Sequence, residues 1–336
     1  MKSKLIYWLT YAGMWLLALL PFRALYILSD GLYLLMRHVV HYRRGVVRKN
    51  LKNSFPEKSQ AELREIEREF YHYICDYMLE EIKMMRMSFE DLSRRMEYGN
   101  TEEYLAMLEK HGGIVVLIPH YANFEWLTAM GAFMKPEDVP LQVYKPLRNK
   151  YVDEMFKLIR ARHGGYNVPK HSTAREVIRL RREGKHVVVG LITDQSPNRN
   201  EAHHWTTFLN QETVFMDGGE RIARMMNYPV FYCELERQGR GHCKAYFDLL
   251  TETPKQTAEG EITELFVRRL EQTIRRAPAY WFWSHKRWKL KREELEKQNG
   301  EDSSCNIKLE RVRNAPLISS LRGTLFRSRR CCGVCC

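Results

Sequence analysis

The apolar positions of this 336-residue chain change their spacing twice. Residues 5–22, LIYWLTYAGMWLLALLPF, carry no charge. As a helix they would measure about 27 Å, close to the hydrocarbon thickness of a bilayer. Arg23 precedes a second apolar run, ALYILSDGLYLLM, interrupted by Ser29, Asp30 and Gly31. A secretory signal would be shorter and would end at a small-residue cleavage site. Residues 5–36 are therefore expected to be a retained membrane anchor, either one span or a helical hairpin dipping into one leaflet; a buried helix of a soluble domain is the plainer alternative. Tyr7, Trp8, Tyr11 and Trp15 suit a lipid–water interface.

From 59 to 111 the apolar residues recur at helical spacing, with Ser59 as a cap and acids in the first turn. From residue 114 short apolar runs alternate with amphipathic stretches. Strands are expected at 114–118, 139–144, 186–192, 229–235 and 243–249, and helices at 124–134, 149–163, 173–183, 217–227 and 259–276. This alternation predicts an α/β fold: a mixed, mostly parallel sheet flanked by helices, with an N-terminal membrane-anchoring helical segment. Residues 291–336 are polar and aperiodic and read as a disordered tail. The expected organisation is an anchor in 1–42, a catalytic α/β domain in 43–290, and that tail.

The formal net charge of +13 calls for an anionic partner. Nucleic acid, an anionic membrane and a phosphorylated substrate all fit the sign. No helix-turn-helix, zinc-finger or aromatic RNA-binding pattern is present, so the expectation is a membrane and an anionic lipid, and no nucleic acid. The cluster HYRRGVVRK at 41–49 favours a domain on the cytoplasmic side. Lys2 and Lys4 compete with it across a single span, whereas a hairpin with both ends cytoplasmic accommodates both. Of the eight cysteines, four lie in the terminal CCGVCC; Cys75, Cys233, Cys243 and Cys305 are far apart and lack metal-ligand pairing. A reduced compartment is expected, with no disulfide framework and no metal.

The candidate chemistry lies in IVVLIPHYANFEW, residues 114–126. His120 and Glu125 are five apart, about 140° around a helix, and cannot share a helical face. They must straddle an element boundary. Pro119 ends the strand and Asn123 is placed to cap a helix beginning near Phe124, which puts Glu125 at that helix's positive end. A carboxylate on one imidazole nitrogen fixes the tautomer and leaves the other free as a base. His120 is accordingly expected to pair with Glu125, although this spacing also occurs by chance around ordinary turn histidines. Further polar groups break into apolar surroundings: Lys145 in VYKP, Arg160 on the following helix, and Asp194–Gln195 after HVVVGLI. Ligands collect beyond the carboxyl ends of strands in open α/β sheets, and two of these groups lie there.

The order of His120-x-x-x-x-Glu125, VYKP, TDQ and the closing YWFWSHKRW at 280–288 resembles the lipid A biosynthesis acyltransferase family, the late or secondary acyltransferases within the glycerolipid-type acyltransferase superfamily, over roughly residues 5–290. The resemblance implies transfer of a fatty acyl group from acyl carrier protein to a hydroxyl of a lipid A precursor at the cytoplasmic face of the inner membrane. No cofactor beyond the thioester co-substrate is implied. It makes His120 the general base, Glu125 its orienting acid, Arg160 an essential arginine and Asp194 the aspartate of the Asp-Gln turn. Asn123, Lys145 and Gln195 join Arg160 and Asp194 as substrate or oxyanion contacts. Lys145 stands where the family often has Arg, and His285-Lys286-Arg287-Trp288 replaces His-Arg-Arg-Phe, which bears on bidentate phosphate contacts. Lys286 and Arg287 are expected at the surface. A different acyl or ester enzyme that activates water with His120, and a non-catalytic lipid-binding protein, are the rival readings.

Overall fold

The computed structural model describes residues 2–147 and 149–296. The amino-terminal apolar stretch forms two helices, α1 (Lys2–Leu19) and α2 (Phe22–Leu34), parted at Leu20 and Pro21. Pro21 has no N–H to continue the helix and its ring collides with the preceding turn, so one continuous rod is excluded. Among the described residues no helix is long and apolar enough to cross a membrane. The structure thus does not show the expected N-terminal membrane anchor. After a π-helical turn the basic cluster enters α3 (Arg44–Ser54), and α4 (Gln60–Met84) follows behind a capping box made by Ser59 and Glu62.

Both α1 and α2 pack against α4. Ser29 donates to Asp76 at 2.6 Å and the Tyr26 hydroxyl to Glu80 at 3.0 Å. The stretch expected to stay helical to 111 instead contains α5 (Phe89–Arg95), a three-residue strand β1 (Met96–Tyr98) and α6 (Thr101–His111). A strand that short carries no alternation that a sequence pattern could reveal.

The rest alternates strands with helices: β2 (Gly113–Ile118), β3 (Val139–Tyr144), α7 (Lys150–Ala161), β4 (Tyr166–Pro169), α8 (Thr173–Arg182), β5 (Val187–Ile192), β6 (His204–Phe208), β7 (Gln211–Phe215), α9 (Gly218–Met226), β8 (Val230–Arg237), β9 (Cys243–Thr251) and α10 (Glu261–Arg276). The main sheet runs β1-β9-β8-β2-β5-β3-β4. Its pairings are parallel except β8 with β9. The expectation of a mixed, mostly parallel sheet flanked by helices holds.

β4 and the β6–β7 hairpin went unforeseen. β4 is a four-residue strand ending in Pro169, and the hairpin alternates Trp, Thr and Phe around Leu209 and Asn210, both at positive φ (48° and 61°). Two left-handed residues joining strands are the signature of a tight hairpin turn, but Asn210 was the only local hint. The segment 124–132 is a 3₁₀ helix and not the expected α-helix, and Asn123 makes no capping hydrogen bond to it.

Residues 1–291 form one unit and 292–336 another, of which only 292–296 are described; there Arg292 donates to Glu296 at 3.1 Å. The expected tail otherwise lies outside the described residues.

β2 is buried along its whole length between β5 and β8. A Cβ at Gly113, its first residue, would stand 2.3 Å from the fully buried ring of Tyr228. Gly113→Ala is expected to destabilise the protein by about 1–3 kcal/mol, the usual range for overpacking. Thermal unfolding should show a melting temperature several degrees lower; an unchanged value would mean that Tyr228 moves aside freely.

Candidate active site

β2 and β5 lie side by side in parallel with Ile118 opposite Ile192. Two residues beyond each strand end stand His120 and Asp194, so the register itself sets them next to one another. The His120 Nδ1 lies 2.5 Å from Asp194 Oδ1, and the His120 backbone N–H donates to Oδ2 at 2.9 Å. The Trp281 indole N–H donates to Oδ2 at 2.8 Å. Asp194 is 1% exposed at its side chain and His120 17%. One partner is sealed and the other remains reachable.

Burial weighs against the charge of Asp194, but the imidazole, the indole and the backbone N–H together hold its carboxyl below the usual range. An ionised carboxylate only accepts hydrogen bonds, so Nδ1 carries the proton and Nε2 presents its lone pair. The Gln195 side-chain nitrogen sits 3.0 Å from that Nε2. The rings of Phe124 and Phe282 flank the imidazole at 5.0 and 5.8 Å, and Tyr77 of α4 stacks on Phe124.

The turn between β2 and the 3₁₀ helix is pinned from both sides. Ala122 sits at φ 46°, a conformation that costs a non-glycine residue free energy. Its carbonyl accepts from the Tyr73 hydroxyl at 2.7 Å and its N–H donates to the Tyr280 carbonyl at 3.0 Å. Asn123 is buried and donates to Glu80 at 2.8 Å. It is thus a strut from the turn to α4, not a cap or a free donor.

Glu125 does not face the imidazole. It accepts two hydrogen bonds from Arg160, to Nε at 2.8 Å and Nη2 at 2.5 Å, tying the start of the 3₁₀ helix to α7. The expected His120–Glu125 contact is therefore replaced by His120–Asp194. The reason is geometric: the 3₁₀ helix turns Glu125 toward α7, while the parallel register delivers Asp194. Beside this pair, burial and the Glu125 carboxylate push Glu81 well above the usual carboxylate range, against the pull of Arg160. Lys145 is exposed past the end of β3, where its charge reaches Glu201, and no hydrogen bond joins it to His120 among the described residues.

The closing segment 280–288 is the part sequence reasoning undervalued. Its aromatic run read as core or interface, yet Trp281 secures Asp194 and Phe282 walls the imidazole. Lys286 is exposed, but Arg287 is 1% exposed and donates to the Val214 carbonyl at 2.6 Å, which corrects its expected surface position. His285 is driven down to about 4 by burial, with Arg287 adding to the shift and Asp194 opposing it, and so stays neutral. Among the described residues no group of three or more His, Cys, Asp or Glu side chains is gathered as a metal ion requires.

Comparison with known proteins converges on one family. Residues 1–290 match the model of the bacterial lipid A biosynthesis acyltransferases. The chain is 22% identical over 291 residues to the lipid A biosynthesis lauroyltransferase of Escherichia coli K12, covering 85% of this chain and 93% of that protein. It is 21% identical over 286 residues to a lipid A biosynthesis acyltransferase of Haemophilus influenzae, with 82% and 86% covered. The lipid A biosynthesis palmitoleoyltransferase of E. coli K12 is 19% identical over 288 residues, with 85% and 92% covered. The chain belongs to the bacterial lipid A biosynthesis acyltransferase family and is an acyltransferase.

Proposed function

We propose that the protein moves a fatty acyl chain from the thioester of acyl carrier protein to a hydroxyl of an anionic lipid A precursor, with His120 as general base and Asp194 as its partner. The observation that carries this reading is the short Nδ1 contact to a sealed carboxylate, which leaves Nε2 of a reachable imidazole as the proton acceptor. The acceptor O–H gives its proton to Nε2 as the oxygen attacks the thioester carbonyl. The tetrahedral intermediate then expels the thiolate, and the imidazolium returns the proton to sulfur, yielding ester and thiol. A thioester already has a good leaving group, so the missing element is a base; positioned acid–base help contributes about 10²–10⁴ in rate. Phe124, Phe282 and Tyr77 give the imidazole an apolar surround that suits a hydrocarbon chain. In this reading Glu125 and Arg160 act together as one positioning pair, and Lys145 is available to an anionic head group at the rim.

The same proposal places the enzyme on the cytoplasmic face of the inner membrane without a span. Ile27, Leu34, Val39 and Val40 are more than half exposed, as are Trp8 and Leu16 on α1. An apolar surface of this kind followed by the exposed cations Arg43, Arg48 and Lys49 suits a helical pair lying in the interface of an anionic leaflet. A family member that activates water instead would release free fatty acid and would not require an added lipid.

His120→Ala and Asp194→Asn should each lower kcat by about 10³–10⁴, the scale seen when a base loses its tautomer-setting partner. Mass spectrometry of lipid A from a deletion strain should show one acyl chain missing, restored by the wild-type chain and not by His120→Ala. An unchanged lipid A beside the loss of another lipid would overturn the acceptor assignment. Glu125→Gln and Arg160→Gln should cost about as much together as either alone, because each removes the same ion pair; fully additive costs would show separate roles. Replacing Ile27 and Val39 with Asp should cut sedimentation with anionic vesicles several-fold while turnover of detergent-dispersed substrate persists. Undiminished vesicle binding would discard the interfacial surface.

A further inference from the structure

The nitrogen that must accept the proton is already occupied. With the Nδ1 proton directed at Asp194, Nε2 of His120 can only accept, so the Gln195 amide 3.0 Å away meets it through an N–H. A substrate hydroxyl needs the same lone pair at a similar distance. Gln195 and the acceptor alcohol therefore compete for one position, and the amide must leave before the reaction begins.

Its destination follows from what surrounds it. Gln195 directly follows Asp194, whose carboxylate is fixed by three donors, so the backbone at 195 is held while the half-buried amide turns on its own side-chain bonds. Of the side chains nominated as oxyanion contacts, Asn123 donates to Glu80 and Arg160 gives two of its nitrogens to Glu125. The Ala122 N–H is spent on Tyr280 and the Tyr121 N–H on Pro119. Because the alcohol would bind where the amide now sits, 3.0 Å from Nε2, the displaced amide starts beside the reacting hydroxyl.

Resting on the acyl-transfer reading above, we infer that Gln195 is a catalytic residue that caps the base in the resting enzyme and, once displaced by the acceptor hydroxyl, donates an N–H to the thioester carbonyl oxygen. As the alcohol's oxygen bonds to the carbonyl carbon and its proton passes to Nε2, the C=O electron pair moves onto that oxygen, where the amide meets it. The pair returns when the C–S bond breaks, and the amide closes again over Nε2. One group thus keeps the base inert without substrate and stabilises charge with it.

The test uses the full-length enzyme with acyl carrier protein thioester and lipid acceptor. Gln195→Ala should lower kcat about 10²–10³-fold, the cost of one oxyanion donor, with KM changed less than about threefold. The acid limb of kcat/KM should move to higher pH, because an N–H aimed at the Nε2 lone pair opposes protonation there. The titratable groups facing the imidazole from the neighbouring elements are Asp194, His285 and, behind the rings, Tyr77 of α4, and none of these is altered by the substitution. Gln195→Glu, equal in size but without a donor, should be at least as slow as Gln195→Ala and should shift the limb further. Faster turnover in Gln195→Ala would reduce the residue to an inhibitory cap, and a loss with no movement of the acid limb would reduce it to packing; either overturns the inference. His120→Ala separates the two levels: if it is inactive while Gln195→Ala keeps full activity, the acyl-transfer reading stands and the role of Gln195 falls.

Discussion

A carboxylate sealed from water is costly unless donors replace the water it has lost. Asp194 meets that condition with the imidazole and backbone N–H of His120 and the indole of Trp281. The partners arrive from three places: the imidazole and main chain of His120 from the end of β2, the indole from the segment after α10, and the accepting carboxylate from the end of β5. The site therefore exists only when the sheet register and the closing segment are both in place. Moving β5 by one residue against β2 would set a different side chain opposite His120 and turn the strand's faces over.

The helical layer secures this arrangement from beneath. The Asn50 side chain donates to the carbonyls of Trp283 and His285, and Arg43 to that of Ser284, so α3 and the residue before it hold the closing segment in place. Glu80 of α4 accepts from Asn123, from Tyr26 of α2 and from the Gly241 N–H. Asp76, one turn earlier, accepts from Ser29, Arg237 and Arg240. The amino-terminal helices and the turn bearing His120 thus share buried polar partners. Such networks lose much of their strength if one member is removed, since the remaining charge is left uncompensated.

Within the site, the polar groups differ in exposure. Asp194 and Glu80 are buried and accept hydrogen bonds from protein donors, whereas His120 and Gln195 remain partly exposed. The Glu125–Arg160 pair grips the 3₁₀ helix that carries Phe124 against the imidazole.

The sequence by itself determined the alternation of strands and helices from 114 onward, the position of His120 at a strand end, and the nomination of Asp194 and Gln195 at another. Those are local facts, written in apolar periodicity and in the proline that stops β2. It could not say which carboxylate meets the imidazole, because Glu125 is near in the chain while Asp194 is near only across two paired strands. Nor did it show that Trp281 is a donor, that Arg287 is buried, or that the first helix breaks at Pro21 and folds back on α4. Strand order, register and the return of residues 280–288 are long-range contacts, chosen by the packing of the whole core. The tertiary structure alone decided them.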